Sequence, residues 1–183
     1  MITVNPFVDN VLNIAPAYIQ GFLVLMVIFT IGGVILDMMH KKNVKFFFNN
    51  AKKAKLSATK SVSTGEKTAI IVKTLAHDVA TSAEFCGVTR RITHLLGMYG
   101  TILFWVSSAV MIFSASSTST IYQMLWHIGA IMTCVGGYWF WFIQRVDVRA
   151  EGNNWSRIVF ADLFVLSLVT TSTFGLLWSY FQS

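Results

Sequence analysis

The sequence predicts an all-α integral membrane bundle of four transmembrane helices with one cytoplasmic amphipathic helix, and three observations lead there. Of 183 residues, 55% are hydrophobic and 12% charged, about half the charge of an ordinary soluble domain. Mean hydropathy is +0.62, and four apolar runs each exceed the ~20 residues that a 30 Å hydrocarbon layer requires. All 14 Lys and Arg fall between those runs, on two connecting segments.

The first span is read over residues 19–39, closed by Asp37-Met-Met-His40-Lys41-Lys42. The second covers 92–115, the third 121–143 and the fourth 158–181, the whole chain forming a single membrane domain. Eleven of the 14 basic residues lie in the 40–91 segment, and the other three, Arg145, Arg149 and Arg157, lie in 144–157. By the positive-inside rule both segments are cytoplasmic, and both termini face outward from the cell membrane. The stretch up to Tyr18 holds no Lys or Arg to serve as the n-region of a signal peptide.

Within the basic segment, Lys41 to Lys60 mixes seven lysines with the triplet Phe46-Phe-Phe48. Beside a membrane span this is a polybasic stretch over anionic lipid headgroups, and no nucleic-acid partner is expected. Ile71, Leu75, Val79 and Ala83 then recur every fourth residue behind Ser63-Thr64-Gly65-Glu66, which predicts an amphipathic helix over 64–85. The short Ser114–Thr120 connection makes the second and third spans antiparallel neighbours. Tyr138-Trp-Phe-Trp-Phe142 closes the third span as an interfacial aromatic belt.

Few residues are placed to carry chemistry. His94 opens the second span at its basic end, while His127 stands near the far end of the third. The two imidazoles are therefore separated by much of the membrane thickness and cannot share one haem. His77, Asp78, Glu84 and Cys86 are metal-capable but lack a metal-site spacing and read as a solvated polar face. Cys86 and Cys134 suggest no disulfide framework. Asp37 precedes Lys41 by four residues, which predicts an ion pair on one helix face. Asp162 opens the fourth span, where its charge suits the helix N-terminus and Arg157 is its expected partner. Gly32-Gly33, Gly97 with Gly100, Gly129 and Gly136-Gly137 predict close helix packing. Thr170-Thr-Ser-Thr173 puts hydroxyls inside the last span, either bonded back to carbonyls or lining a polar path.

Two blocks carry a family resemblance. Lys73-Thr-Leu-Ala-His-Asp-Val followed by Arg90-Arg-Ile-Thr-His94-Leu-Leu-Gly-Met-Tyr-Gly100 resembles the membrane cytochrome b group of nitrate reductase gamma chains and heterodisulfide-reductase-like complexes. The order Gly129, Gly136-Gly137, Arg145, Asn154-Trp-Ser156, Asp162 is similar as well. The resemblance implies a quinol-linked haem b electron-transfer subunit with His94 as an axial ligand. Against that pattern, 158–183 holds no histidine to match the remaining axial ligands, and four spans stand where five or more are usual.

The expected function is therefore a non-catalytic accessory subunit of a multisubunit membrane oxidoreductase, without a cofactor of its own. It would support the packing of catalytic chains, and an archaeal ammonia monooxygenase, of the ammonia/methane monooxygenase type, is one such assembly. Its partners would be other membrane subunits and lipids. The alternatives are the haem b subunit built on His94 and a small transporter or channel lined by Asp37, Asp162 and the Thr170–Thr173 run.

Overall fold

The protein is described from a computed structural model covering residues 3, 5–8, 13–59, 62–114 and 118–182. Helix α1 is Pro16–Lys41, α2 Asn43–Ser57, α3 Thr64–Thr74, α4 Val88–Ser114, α5 Thr120–Trp139, α6 Val146–Arg149 and α7 Leu163–Phe181. No strand occurs among the described residues. Pro16 sits in the first turn of α1, where its missing N–H costs nothing. Lys42, at φ +53°, ends α1 and opens α2 in the same left-handed corner. The polybasic stretch is thus a helix of its own.

Three helices, α1, α4 and α7, are long and apolar enough to cross a membrane. The third predicted span, 121–143, is α5 followed by a π turn at Phe140–Gln144. It does not match the other three in apolarity, because Gln123 and His127 are part of it. Both of those side chains are buried, as is much of α5, which lies between α4 and α7. A helix enclosed by protein can be more polar than one facing lipid. The fourth helix is shorter than the 158–181 run: Ile158 and Val159 are extended or irregular, Phe160–Asp162 forms a 3-10 turn, and the α-helix starts at Leu163. Residues Ala115–Ser117 of the short loop lie outside the described residues.

Helix α4 buries Thr93, Gly100, Phe104, Ser107 and Met111, a seven-four-three-four spacing that marks one seam. Small residues bring that seam onto α5. A Cβ on Gly129 would stand 2.5 Å from the Phe104 amide nitrogen, one on Gly100 2.6 Å from that of Thr133, and one on Gly136 2.8 Å from that of Gly97. Gly137 packs in the same way against the Val169 side chain of α7. Gly32 and Gly33 differ from the expectation, since each would hold a Cβ in open space; Gly97 lends its backbone to the seam at Gly136 while its own Cβ direction is open.

The helices alternate in direction. At one end, Gln20 Nε2 donates to Ile112 O at 3.1 Å and Trp178 Nε1 donates to Pro6 O at 3.0 Å. The start of α1, the end of α4 and the end of α7 therefore meet. Trp126 forms the core there: its ring lies 5.1 Å from Phe104 and 6.0 Å from Phe7, and its Nε1 donates to Ser108 Oγ at 2.9 Å. The helix ends that carry Lys41, Arg90, Arg91 and Arg145 lie toward the opposite end. Beside the packed trio α4, α5 and α7, helix α1 touches α4 near its start, at Gln20, and none of its 26 residues is buried.

The amphipathic helix expected over 64–85 stops early. Helix α3 runs to Thr74, a π turn carries it through Val79, and Ser82 takes φ +50°. Ile71, Leu75 and Val79 are all exposed, and Ala83 lies beyond the helix in a turn. The start signal holds: Ser63 Oγ accepts from the Glu66 amide at 3.2 Å, and Ser63 N–H donates to Glu66 Oε2 at 2.9 Å, a reciprocal capping box. Those bonds hold the Glu66 carboxyl below the usual carboxylate range. A depressed folded pKa makes this support complete above the unfolded value and lost as pH falls through the lower folded one. Replacing Ser63 with alanine is expected to move the Glu66 titration, followed by side-chain NMR, upward toward the ordinary carboxylate value.

Candidate functional site

At the basic end of the trio a cleft of about 620 Å³ opens between α4, the last turns of α5 and the start of α7. Its walls are overwhelmingly apolar: Met98 and Ile102 from α4, Phe140 from the π turn, and Phe164 and Leu168 from α7. Gly97 leaves room on the α4 side. The charged and amide side chains gather toward one end, where Arg90 and His94 come from the first turns of α4 and Gln144 from the last residue of the π turn; the hydroxyls of Thr101 and Thr133 line the wall further along.

The segment before α4 folds back and is clasped to it by side chains. Ser82 Oγ meets His94 Nδ1 at 2.9 Å, Arg91 Nε donates to Thr81 O at 2.7 Å, and Tyr99 Oη donates to Ala80 O at 2.6 Å. The Phe85 ring lies 4.8 Å from the His94 ring. One imidazole nitrogen is thereby fixed by Ser82. Arg90, beside it, makes no hydrogen bond or ion pair with the described residues.

Gln144 is almost fully buried at 1% exposure, and its two amide ends are treated differently. Its Oε1 accepts from Arg149 Nη1 at 3.0 Å, whereas its Nε2 has no acceptor. A buried donor without a partner costs ~1–3 kcal/mol. The cleft that Gln144 borders is the space from which an acceptor can come.

Arg145, next in the chain, organises the connection to α7. Its guanidinium lies 4.2 Å above the Trp141 ring, donates to Trp155 O and Arg157 O, and stands 3.5 Å from Asp162 Oδ2. That carboxylate also accepts from the Val159 amide at 2.9 Å. The expected Arg157–Asp162 pair is therefore replaced by Arg145–Asp162. Residues 157–159 are not helical, so Arg157 is not held on the face of α7, and only its carbonyl joins the network. Asp37 and Lys41 meet as expected at 2.9 Å, both well exposed.

The remaining sequence candidates are dispersed. His127 is buried with both nitrogens engaged: Nδ1 lies 2.7 Å from Gln123 O and Nε2 2.8 Å from Ser179 Oγ. Since a carbonyl only accepts, Nδ1 carries a proton toward Gln123 O. His77 pairs with Asp78 at 2.8 Å, and Cys86 is exposed. Among the described residues no three metal-capable side chains converge. Thr173 Oγ1 bonds back to Val169 O at 2.7 Å, and neither Asp37, Asp162 nor Thr173 lines the cleft.

Comparison with protein-family models, curated proteins and solved structures finds no match to this chain. The cleft and the Arg145 network were both missed in the sequence. Each is assembled from residues far apart in the chain, and the one sequence signal for the cleft was His94 beside Arg90.

The haem implied by the resemblance can be tested against the cleft. His94 supplies one imidazole, but the facing wall of α7 offers Phe164, Val165, Leu168 and Val169, none of them a ligand. Met98, the nearest alternative, stands one turn along the same helix as His94 and lines the same wall.

Proposed function

We propose that this chain is a four-span membrane subunit without catalysis of its own, supporting the packing of the catalytic chains of a multisubunit membrane oxidoreductase. The observation that carries the reading is the division of the helices into a packed trio and a largely exposed α1. Helix α1 has no buried residue and offers a backbone open at Gly32 and Gly33, the kind of surface against which a second apolar helix packs closely. Four crossings suit the alternation of helix directions, with α5 as the enclosed span. They also put every basic residue on one side, the cytoplasmic one under the positive-inside rule. An ammonia/methane monooxygenase type complex is one assembly of this kind, and the resemblance to the nitrate reductase gamma group is consistent with descent from a haem subunit.

The test is purification of the tagged chain from its native membranes in mild detergent, with co-migrating chains identified by mass spectrometry. Integral oxidoreductase subunits are expected to accompany it, and Gly33→Leu is expected to release them while leaving the chain folded. A chain that migrates alone overturns the proposal. A second reading, the haem b electron-transfer subunit, is favoured by the Ser82-anchored His94 on a cleft wall. Under that reading the preparation shows a b-type reduced-minus-oxidised spectrum that His94→Ala abolishes.

A further inference from the structure

We infer that the cleft between α4, α5 and α7 is a binding site for an anionic phospholipid, whose phosphate is held at Arg90 and His94 while one acyl chain fills the apolar interior. The cleft reaches from Arg90 to Ile102 along α4, about 18 Å at the rise of an α-helix. That is close to the depth of one leaflet, about 15 Å. Its charged and amide side chains, Arg90, His94 and Gln144, stand at the basic end, while the hydroxyls of Thr101 and Thr133 further along are turned to each other. An amphiphile of the adjoining leaflet therefore enters in a single orientation, with its head among cations and its tail between α4 and α7.

The donor set selects the head. Arg90 has no partner among the described residues, and the His94 ring is oriented by Ser82 through Nδ1, which leaves Nε2 for the ligand. Gln144, at the same end, lines the cleft as well and has a buried amide nitrogen without an acceptor. A phospholipid brings phosphate oxygens to the charged donors at the basic end and an acyl chain to the apolar walls along the rest of the cleft. A free phosphate would use only the charged end. The hydroxyls of Thr93 and Thr133 on the cleft wall are already bonded to carbonyls of their own helices and are not needed for the ligand.

This assignment rests on the membrane placement proposed above. The test uses the full chain reconstituted in nanodiscs of phosphatidylcholine containing one-tenth phosphatidylglycerol, followed by native mass spectrometry of the lipid retained on release. The wild-type chain is expected to retain phosphatidylglycerol well above its share of the bilayer. Arg90→Gln is expected to lower that retention about fivefold, the effect of one cation beside an anionic headgroup. Gly97→Leu fills the cleft from a position where added atoms meet open space. It should remove the retained lipid altogether while leaving the helical content unchanged. Equal retention of the two lipids, retention unaltered in Gly97→Leu, or displacement by inorganic phosphate alone would each overturn the site. A chain that fails to enter the bilayer at all overturns the membrane placement instead, so the two failures are distinguishable.

Discussion

Replacing Gly129 with alanine is expected to destabilise the bundle by about 2–3 kcal/mol, an overpacking cost at the upper end of what inserted methyl groups usually incur. The added carbon would stand 2.5 Å from the Phe104 amide nitrogen and 2.8 Å from Gly100 O. Both are backbone atoms, so no side chain can swing away, and α4 must move off α5 along its whole seam. The same substitution at Gly32 meets open space and gains the ordinary helix preference of alanine over glycine, about 0.5–1 kcal/mol. Thermal unfolding in detergent micelles, followed by circular dichroism at helical wavelengths, separates the two. If Gly129→Ala melts with the wild type, the close α4–α5 approach is wrong.

The second large effect is expected at Arg145. Replacing it with methionine leaves the Asp162 carboxylate buried without its cation and two carbonyls without their donor. Breaking a buried pair by removing one partner costs about 3–5 kcal/mol. Arg157→Gln, by contrast, should be nearly silent, because Arg157 contributes its backbone carbonyl to the network. Lysine at 145 should restore only part of the loss, since one ammonium cannot reach both carbonyls and the carboxylate as the planar guanidinium fork does. Unfolding midpoints of the three variants in one detergent measure this order, and equal losses in Arg145→Met and Arg157→Gln would sink it.

Much of the framework could be read directly because it depends on local pattern. Apolar runs located α1, α4 and α7, and the Ser63 to Glu66 spacing located the start of α3. The glycines told less. Gly100, Gly129 and Gly136 lie in a tight seam, yet Gly32 and Gly33 look the same in sequence and face open space. Which side of a helix meets a neighbour is decided by the neighbour. Helix α5 illustrates the converse: Gln123 and His127 weaken its apolar signal because they are turned into protein, and His127 finds its partner 52 residues away at Ser179.

The site was legible only at its edge. Arg90 and His94 stood out as a charged helix start, but Gln144 and Phe164 share no pattern with them, and the cleft exists only where three helices diverge. Asp162 was found and its partner misassigned, since proximity in sequence favoured Arg157 over a residue 17 positions earlier. The continuous stripe expected through Ala83 was lost to the π turn at Leu75–Val79, which adds a residue to the turn and rotates the later positions out of register.

The contact between Trp178 and Pro6 joins residues 172 positions apart. The cluster around Trp126 is closed on one side by the last turns of α7, where Leu176 packs against it, and the amino-terminal segment also donates from Asn5 Nδ2 to Met111 O. Closing this end brings together the most distant parts of the chain, the kind of contact whose loop-closure entropy must be met before it is rewarded, so a chain shortened within α7 is expected to leave Trp126 uncovered.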